Sequence, residues 1–317
     1  MSDNFYMKSD FTDFDDMAKA FYHWNVEILQ LENTKINDTM TQINVNNIYL
    51  LYAIFTGKTQ QIGQTPPGRT FSFHVGTKSQ LYWRNKDVPL NALMIHPLDD
   101  KSVDVATKGS ANNPHTISMP EDVLISRLSN SEKRVYEQIV STQDIVLVRK
   151  PEMANLKTIF DKYLQSLEED PELIHHNNFQ MCIEEEVLSA LIEALFSTQN
   201  NDNEKILAKN STIWKVLENF IEENKHRAIK VSELSKIAKI SERSLYPLFY
   251  ERFGITPKAY LNKLRLNGAK SDILQSSTSD TKILDIANSW GFWHMGQFAA
   301  DYKNLFGELP SETLHSA

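Results

Sequence analysis

Short stretches rich in β-branched and aromatic residues follow one another between residues 22 and 125, and turn-forming segments separate them. Within residues 69–75, Arg, Phe, Phe and Val alternate with Thr, Ser and His, the period-2 pattern of a strand. Consecutive strands without helices between them favour an antiparallel barrel or sandwich. We therefore expect an α+β chain that begins with a barrel-like or sandwich-like β domain.

Apolar residues recur at helical spacing in the next part of the chain, over residues 131–140, 151–167 and 177–198. The third segment carries one apolar stripe that could pack on its own domain or on a second copy of the chain. The polar run TQNNDNEK, residues 198–205, is predicted to be a linker. We place one domain over residues 1–205 and a second, all-α domain over residues 206–317, which starts with an amphipathic helix.

One helical pattern with apolar residues at every fourth position occurs twice in the second domain, and each copy is followed by a glycine and then a proline. The copies are 53 residues apart, and their matched positions are Leu245 and Phe298, Phe249 and Tyr302, Phe253 and Phe306, Gly254 and Gly307, and Pro257 and Pro310. Such a repeat predicts two copies of one structural unit.

A shorter helix is predicted before each copy. We expect Ser232 and Thr281 to cap these shorter helices, and Lys239 and Gly291 to lie in the sharp turns that follow them. Two helices joined by a tight turn form a helix-turn-helix, the motif that places its second helix in the major groove of DNA. The pattern therefore predicts two such motifs in tandem.

The two motifs are predicted at about residues 231–254 and 281–307, joined by one long helix that Thr256 caps and Pro257 opens. A linking helix of about 18 residues would be about 27 Å long. Because one turn of B-DNA is about 34 Å, the second helix of each motif, here called the reading helix, could enter successive major grooves on one face of the duplex.

Burial of the apolar faces would leave a defined set of side chains facing DNA. Arg243 is the candidate for a bidentate contact to guanine, with a contact to phosphate alone as the alternative. Pro247 lies inside the first reading helix, where it would remove a hydrogen bond and could kink the helix at a cost of about 3 kcal/mol. The predicted DNA-facing set is Glu242, Arg243, Tyr246, Tyr250, His294, Met295, Gly296, Ala299 and Ala300.

The second reading helix has a different character. Between Trp293 and Asp301 we identify no strong base-reading side chain, although Met295 could lie against thymine methyl groups. This motif is therefore expected to supply affinity, register and a mild A·T preference, while His294 could contact DNA or only cap the helix. Candidate phosphate contacts, each with an ordinary surface lysine as the alternative, are Lys239, Lys258, Lys263 and Lys303.

The charge distribution agrees with a DNA-binding second domain. The whole chain carries a formal charge of -8, but residues 227–282 hold 11 basic and 5 acidic residues, a net charge of 11 - 5 = +6. A local basic patch of this sign attracts the phosphate backbone of nucleic acid.

The first domain offers candidates for a small-molecule site but not for catalysis. An aromatic wall with one fixed charge would suit a small polar metabolite, although the same residues could simply be core; they are Tyr52, Phe73, Tyr82, Trp83 and Arg84. His74, His96 and His115 lack the spacing of metal ligands on one strand, so we expect no metal, no cofactor and no enzyme activity. The alternatives are a metal-dependent β-barrel enzyme with an appended DNA-binding domain, or a module that senses a protein partner.

The chain is expected to act in the cytoplasm. Its first twenty residues are acidic and lack the pattern of a secretory signal, and no apolar run approaches the roughly 20 residues that span a membrane. The single cysteine, Cys182, cannot form an intramolecular disulfide, which fits a reducing compartment.

The segments LYPLFYERFGITPKAYLNKLRLNGAKSDIL and ILDIANSWGFWHMGQFAADYKNLFGELPSETL resemble the DNA-binding domain of the AraC/XylS family of bacterial transcription regulators. Residues 290–315 are most similar to the branch of this family that includes the ethanolamine operon regulator. The resemblance implies a cupin-like sensory or dimerising domain before the DNA-binding one. It also implies an activator that binds promoter DNA as a homodimer, contacts RNA polymerase and responds to a small-molecule effector.

Overall fold

The computed structural model describes residues 4–74, 81–84, 86–98, 102–107, 111–197, 211–276 and 282–316. Val75 and Thr281 lie outside these residues, and so does the predicted linker 198–205 with the domain boundary at its end.

The first domain contains two antiparallel sheets packed face to face. The larger sheet has the strand order β1 (Phe5–Phe11), β3 (Asp38–Val45), β4 (Ile48–Ala53), β13 (Pro114–Met119), β7 (Arg69–His74), β10 (Ala92–Ile95) and β14 (Ile145–Leu147). The smaller sheet has the order β2 (Asn25–Gln30), β6 (Thr59–Gln64), β11 (Val103–Thr107), β8 (Leu81–Trp83) and β9 (Lys86–Asp87), while β5 (Phe55–Thr56) pairs with β12 (Ala111–Asn112). Among the described residues the sheets do not close into a barrel, so the predicted β domain is confirmed as a sandwich.

Strand alternation sends each strand's side chains into two different cores. On β7, Phe71 and Phe73 face the helices that cover the outer side of the larger sheet, where they pack with Phe160 and Leu191. Trp83, together with residues such as Leu51 and Met94, lies in the core between the two sheets. The covering helices are α2 (Glu121–Ser126), α3 (Asn130–Thr142), α4 (Lys150–Glu169) and α5 (Asn177–Phe196), and α1 (Phe14–Ala20) lies between β1 and β2.

The apolar stripe of α5 packs on its own domain. Val187, Leu191 and Leu195 are buried in the same cluster as the outer face of the larger sheet, and Ile192 packs against that cluster. Of the two alternatives left open by the sequence, packing within the domain is the one that the structure contains.

The second domain is all-α, as predicted. Its helices are α6 (Ser211–Asn224), α7 (Val231–Ala238), α8 (Glu242–Phe253), α9 (Pro257–Leu274), α10 (Ile283–Ser289), α11 (Met295–Phe306) and α12 (Pro310–Ser316). Thr256 caps α9 by accepting a hydrogen bond from the backbone N–H of Ala259, and α9 is 18 residues long, which confirms the predicted linking helix. The first half of α9 packs in one hydrophobic cluster and the second half in another.

The outer face of the smaller sheet packs directly on the second domain. Leu31, Tyr82 and Ala106 from the sandwich share one buried cluster with Trp214 and Phe249 from α6 and α8. The smaller sheet thus lies between the larger sheet and the helices of the second domain, and the two domains share a hydrophobic core.

Candidate nucleic-acid interface

Helices α7 and α8 form the first helix-turn-helix. Lys239 ends α7 with φ 54° and ψ 38°, the left-handed conformation that the predicted sharp turn requires. The predicted Ser232 cap is wrong, because α7 already begins at Val231. The Glu233 carboxylate instead accepts the backbone N–H of Lys230 at 2.8 Å, a local bond that stabilises the start of the helix without a serine cap.

The first reading helix is α8, and it turns its predicted face outward. Leu245, Leu248 and Phe249 are buried, while Tyr246 and Tyr250 are 45 % and 66 % exposed. The side chains of Glu242 and Arg243 are exposed as well. All four predicted members of the reading face on this helix are therefore accessible to DNA in the full chain.

Pro247 does not interrupt α8, which continues from Glu242 to Phe253. A proline removes the hydrogen bond to the carbonyl oxygen four residues earlier, here that of Arg243. Arg243 and Pro247 are both exposed, so water can take the place of the missing donor. The exposed position makes an internal proline tolerable in this helix.

Helices α10 and α11 form the second motif, with α11 as its reading helix. Gly291 has φ 73°, as predicted for the turn between them. Phe298, Tyr302 and Leu305 are buried, whereas His294 and the predicted residues Gly296 and Ala300 are exposed. Met295 and Ala299 are half-buried, and Met295 packs against the motif's own core, which leaves less of it for a groove.

Gln297 is an exception to the expectation that no strong base-reading side chain lies between Trp293 and Asp301, because a glutamine amide can make a bidentate contact to adenine. Gln297 is exposed on α11, and its Nε2 donates a hydrogen bond to Oδ1 of Asp301 at 2.7 Å. Trp293, just before the helix, is 72 % exposed. The sequence alone could identify Gln297 as a residue of the reading face. It lies three residues after His294 and four residues before Asp301, so the three residues share one face of the helix.

The candidate phosphate contacts divide into two groups. Lys239, Lys258 and Lys303 are exposed. Lys263 is half-buried between the domains, where burial and the nearby Lys58 ammonium lower its pKa while Glu32 acts in the opposite direction. The position of Lys263 therefore favours a role in domain contact over one at a phosphate.

Part of the basic patch that the sequence predicts is neutralised inside the protein. Arg252 is 1 % exposed, and its Nη2 lies 2.7 and 2.9 Å from the two carboxylate oxygens of Asp104. Lys270 is 3 % exposed and forms ion pairs with Asp13 and Asp15 in the first domain. These two cations bind the sandwich instead of DNA. The positive charge that a DNA duplex would meet is therefore smaller than the net +6 counted over residues 227–282.

The five residues proposed for a small-molecule site do not surround one cavity in the described part of the chain. Tyr52 lines a cleft of about 480 Å³ between β4, β13 and α4. Phe73 is buried under the covering helices, Trp83 lies between the sheets and Tyr82 faces the second domain. Tyr82 and Trp83 are neighbours on one strand, so their side chains must point to opposite faces.

Two buried histidines are held neutral inside the sandwich. Burial lowers the pKa of His74 to about 3 and that of His96 to about 4. His96 uses both ring nitrogens, with Nε2 2.8 Å from Oγ of Ser72 and Nδ1 2.8 Å from the carbonyl oxygen of Ser102. Among the described residues, no three His, Cys, Asp or Glu side chains are grouped as a metal site requires.

Comparisons with known proteins find relatives of the second domain. A family model described as a helix-turn-helix domain matches residues 234–316. The XylDLEGF operon transcriptional activator of Pseudomonas putida is 38 % identical over 128 residues, which is 40 % of this chain and 39 % of that protein. The XylDLEGF operon transcriptional activator 2 of the same organism is 34 % identical over 128 residues, 40 % of this chain and 80 % of that protein.

A solved structure of a probable AraC family transcriptional regulator from Rhodopseudomonas palustris is 35 % identical. It aligns with 33 % of this chain and 97 % of its own, with a TM-score of 0.31.

The fold and the two motifs define a tandem helix-turn-helix protein with an N-terminal β sandwich. The chain belongs to the AraC/XylS family of transcription regulators. The match spans only 39 % of the length of the first P. putida activator, so the likeness covers the DNA-binding part. These relatives do not favour the alternative of a metal-dependent enzyme. In the described part of the chain, no helix is both long enough and apolar enough to cross a membrane.

Proposed function

We propose that the protein is a cytoplasmic transcription activator that binds promoter DNA by placing α8 and α11 in successive major grooves. The observation that carries this proposal is the exposure of both reading faces in a chain whose two domains are packed together. Arg243, Tyr246 and Tyr250 on α8, and Gly296 and Ala300 on α11, are all exposed. The exposed Lys239, Lys258 and Lys303 supply the phosphate contacts.

The first domain controls DNA binding through its contacts with both motifs. Asp104 on β11 pairs with Arg252 at the end of α8. Gln30, the last residue of β2, donates from Nε2 to the carbonyl oxygen of Leu305 on α11 at 3.0 Å. A molecule that changes the smaller sheet would therefore act on both reading helices, which is the route by which we propose that an effector regulates the protein.

The effector binds within residues 22–200, and a protein partner is the alternative occupant. A screen of the full chain by thermal unfolding against small metabolites tests this, because a ligand at 100 times its Kd should stabilise the folded state by about 2.7 kcal/mol. If no metabolite raised the unfolding temperature but a bound protein did, the result would favour a protein partner as the effector.

A second copy of the chain and RNA polymerase complete the set of proposed partners. Both are partners that the resemblance to the AraC/XylS family implies. The likeness of residues 290–315 to the ethanolamine regulator branch supports a place in that branch.

Footprinting the full chain on the DNA that flanks its own gene tests the core of the proposal. On the protected site, Arg243→Ala should relax preference at one G·C pair by about 1–3 kcal/mol. Lys258→Ala should weaken all sequences alike and reduce the salt slope by about 1. Arg134→Ala, at an exposed arginine of α3 in the first domain, is the matched control and should leave binding unchanged. A protein that gives no footprint, or an Arg243→Ala variant with wild-type base preferences, would contradict this assignment.

A further inference from the structure

Gln297 is an exposed polar side chain near the start of α11, and the DNA-binding proposal assigns it no role. A glutamine amide offers two N–H donors and one carbonyl acceptor. The bond from Nε2 of Gln297 to Oδ1 of Asp301, at 2.7 Å, uses one of those donors. The amide can still offer one N–H and its oxygen together, which is the pair that a bidentate contact to a base needs.

Asp301 is itself held by the linking helix α9. Nδ2 of Asn262 donates to Oδ2 of Asp301 at 3.1 Å, and Oδ1 of Asn262 accepts from Nη2 of Arg265 at 3.2 Å. Nη1 of Arg265 donates to the carbonyl oxygen of Gly291 at 3.2 Å. A continuous chain of hydrogen bonds thus runs from the turn of the second motif, through α9, to Gln297.

This chain of bonds orients Gln297 before any DNA is present. A free glutamine has many rotamers, and ordering them on binding reduces affinity. A side chain already held by a fixed carboxylate loses less freedom when it meets a base. A contact to phosphate alone would need no such orientation, because it carries no sequence information.

The residue before Gln297 favours close approach of the helix to DNA. Gly296 is exposed, and a Cβ added there would meet no atom of the protein within 4 Å. The fold therefore has no steric need for glycine at this position, whereas a base edge brought close to the helix backbone would.

We infer that Gln297 is the specificity-determining residue of the second motif and that it reads an adenine in the major groove. The free Nε2–H donates to N7 of the adenine, and Oε1 accepts from its N6 amino group. Asp301 and Asn262 are positioning residues that act through Gln297. This inference rests on the proposed function, and it replaces a mild A·T preference with selection of one A·T pair.

The test measures binding of the full chain to the footprinted duplex and to a panel that carries every single base-pair change in it. Gln297→Ala should lower discrimination at one A·T pair by about 5- to 150-fold and leave discrimination at the other pairs as in the wild type. Gln275→Ala is the matched control, because Gln275 is also an exposed glutamine of the second domain but lies at the end of α9. It should change no position.

Variants of Asp301 test the positioning role separately. Asp301→Ala should reduce discrimination at the same A·T pair, and adding it to Gln297→Ala should cause no further loss there. Asp301→Asn keeps one oxygen that accepts from the Gln297 amide, but its NH2 group cannot accept from Nδ2 of Asn262, so it should retain part of the discrimination that Asp301→Ala loses. If Asp301→Asn lost as much as Asp301→Ala, the positioning role would be overturned.

The failure of this inference can be told apart from failure of the proposed function. A wild-type footprint combined with a Gln297→Ala profile that is unchanged, or that is weakened equally on every duplex, would overturn only the reading of adenine. The absence of any wild-type footprint would overturn the proposed function itself. Circular dichroism melting of each variant shows whether it folds as the wild type does.

Discussion

The ion pair between Arg252 and Asp104 joins the two domains, and Asp104→Ala is the sharpest test of that contact. The Arg252 guanidinium is buried, contacts the carboxylates of Asp104 and Glu218, and lies 4.7 Å from the ring centroid of Trp214. Burial alone would lower the pKa of Arg252, but the two carboxylates raise it above its usual value. Removal of Asp104 takes a carboxylate away from a charge that water does not reach.

The expected loss follows from that burial. Removing one partner of a buried ion pair costs about 3–5 kcal/mol, because the other charge stays buried. The Asp104 side chain is 17 % exposed and Glu218 still neutralises part of the charge, so we expect the low end, about 3 kcal/mol. Adding Arg252→Met, which removes the charge and keeps an apolar stem, should restore most of the loss in the double variant.

Urea unfolding of the full chain measures the free energy change, and hydrogen exchange of the β11 and α8 segments shows where it arises. Protection should fall in both segments together in Asp104→Ala, since the pair links them. Glu137→Ala, at an exposed carboxylate in the middle of α3, is the control and should unfold as the wild type does. An Asp104→Ala variant within about 0.5 kcal/mol of wild type, which is the usual range for surface substitutions, would refute the reasoning. A double variant as unstable as the sum of the single ones would refute it too.

Three further predictions concern the reading helices and the sandwich core. Gly296→Ala should leave the fold intact and stabilise α11 by up to roughly 1 kcal/mol, yet weaken DNA binding; thermal melting and a binding titration check this, and unchanged binding would contradict it. Pro247→Ala should restore the donor to the Arg243 carbonyl and stabilise the protein by up to about 3 kcal/mol; equal urea midpoints would show that α8 is already relaxed. Burial lowers the pKa of His74 to about 3 and that of His96 to about 4. Both imidazoles therefore stay neutral in the folded state, whereas in the unfolded chain each gains a proton below a pKa of 6.5. Stability should therefore fall as the pH drops below 6.5, by about 2 kcal/mol per histidine at pH 5; a His96→Gln variant that loses as much as wild type between pH 7 and 5 would count against this.

The predictions that came closest to the structure depend on residues near one another in sequence. The repeat that pairs Leu245 with Phe298 predicted two motifs, and Thr256 capped α9 as expected. Lys239 lies in the turn where the repeat required one. Helix periodicity, capping and turns are set within a few residues, so a single sequence carries enough information to predict them.

Two features of the candidate site depend on which face of a helix or strand a residue occupies. Tyr82 and Trp83 were assigned to one pocket, although adjacent residues on a strand face opposite sides. Gln297 lies three residues after His294, and this spacing places it on the reading face of α11. Both outcomes follow from the period of the element that carries the residue.

By itself the sequence determined the element types, the tandem motifs and most of the outward face of α8. Only the tertiary structure decided that Arg252 and Lys270 serve the domain interface and not DNA, and that the sandwich covers the rear of the second domain. Lys270 and Asp13 are 257 residues apart, and no local pattern records which distant carboxylate a lysine will meet. The sequence gives the number of charged residues in a segment. The folded structure decides which of these charges are buried with a partner and which remain exposed to a ligand.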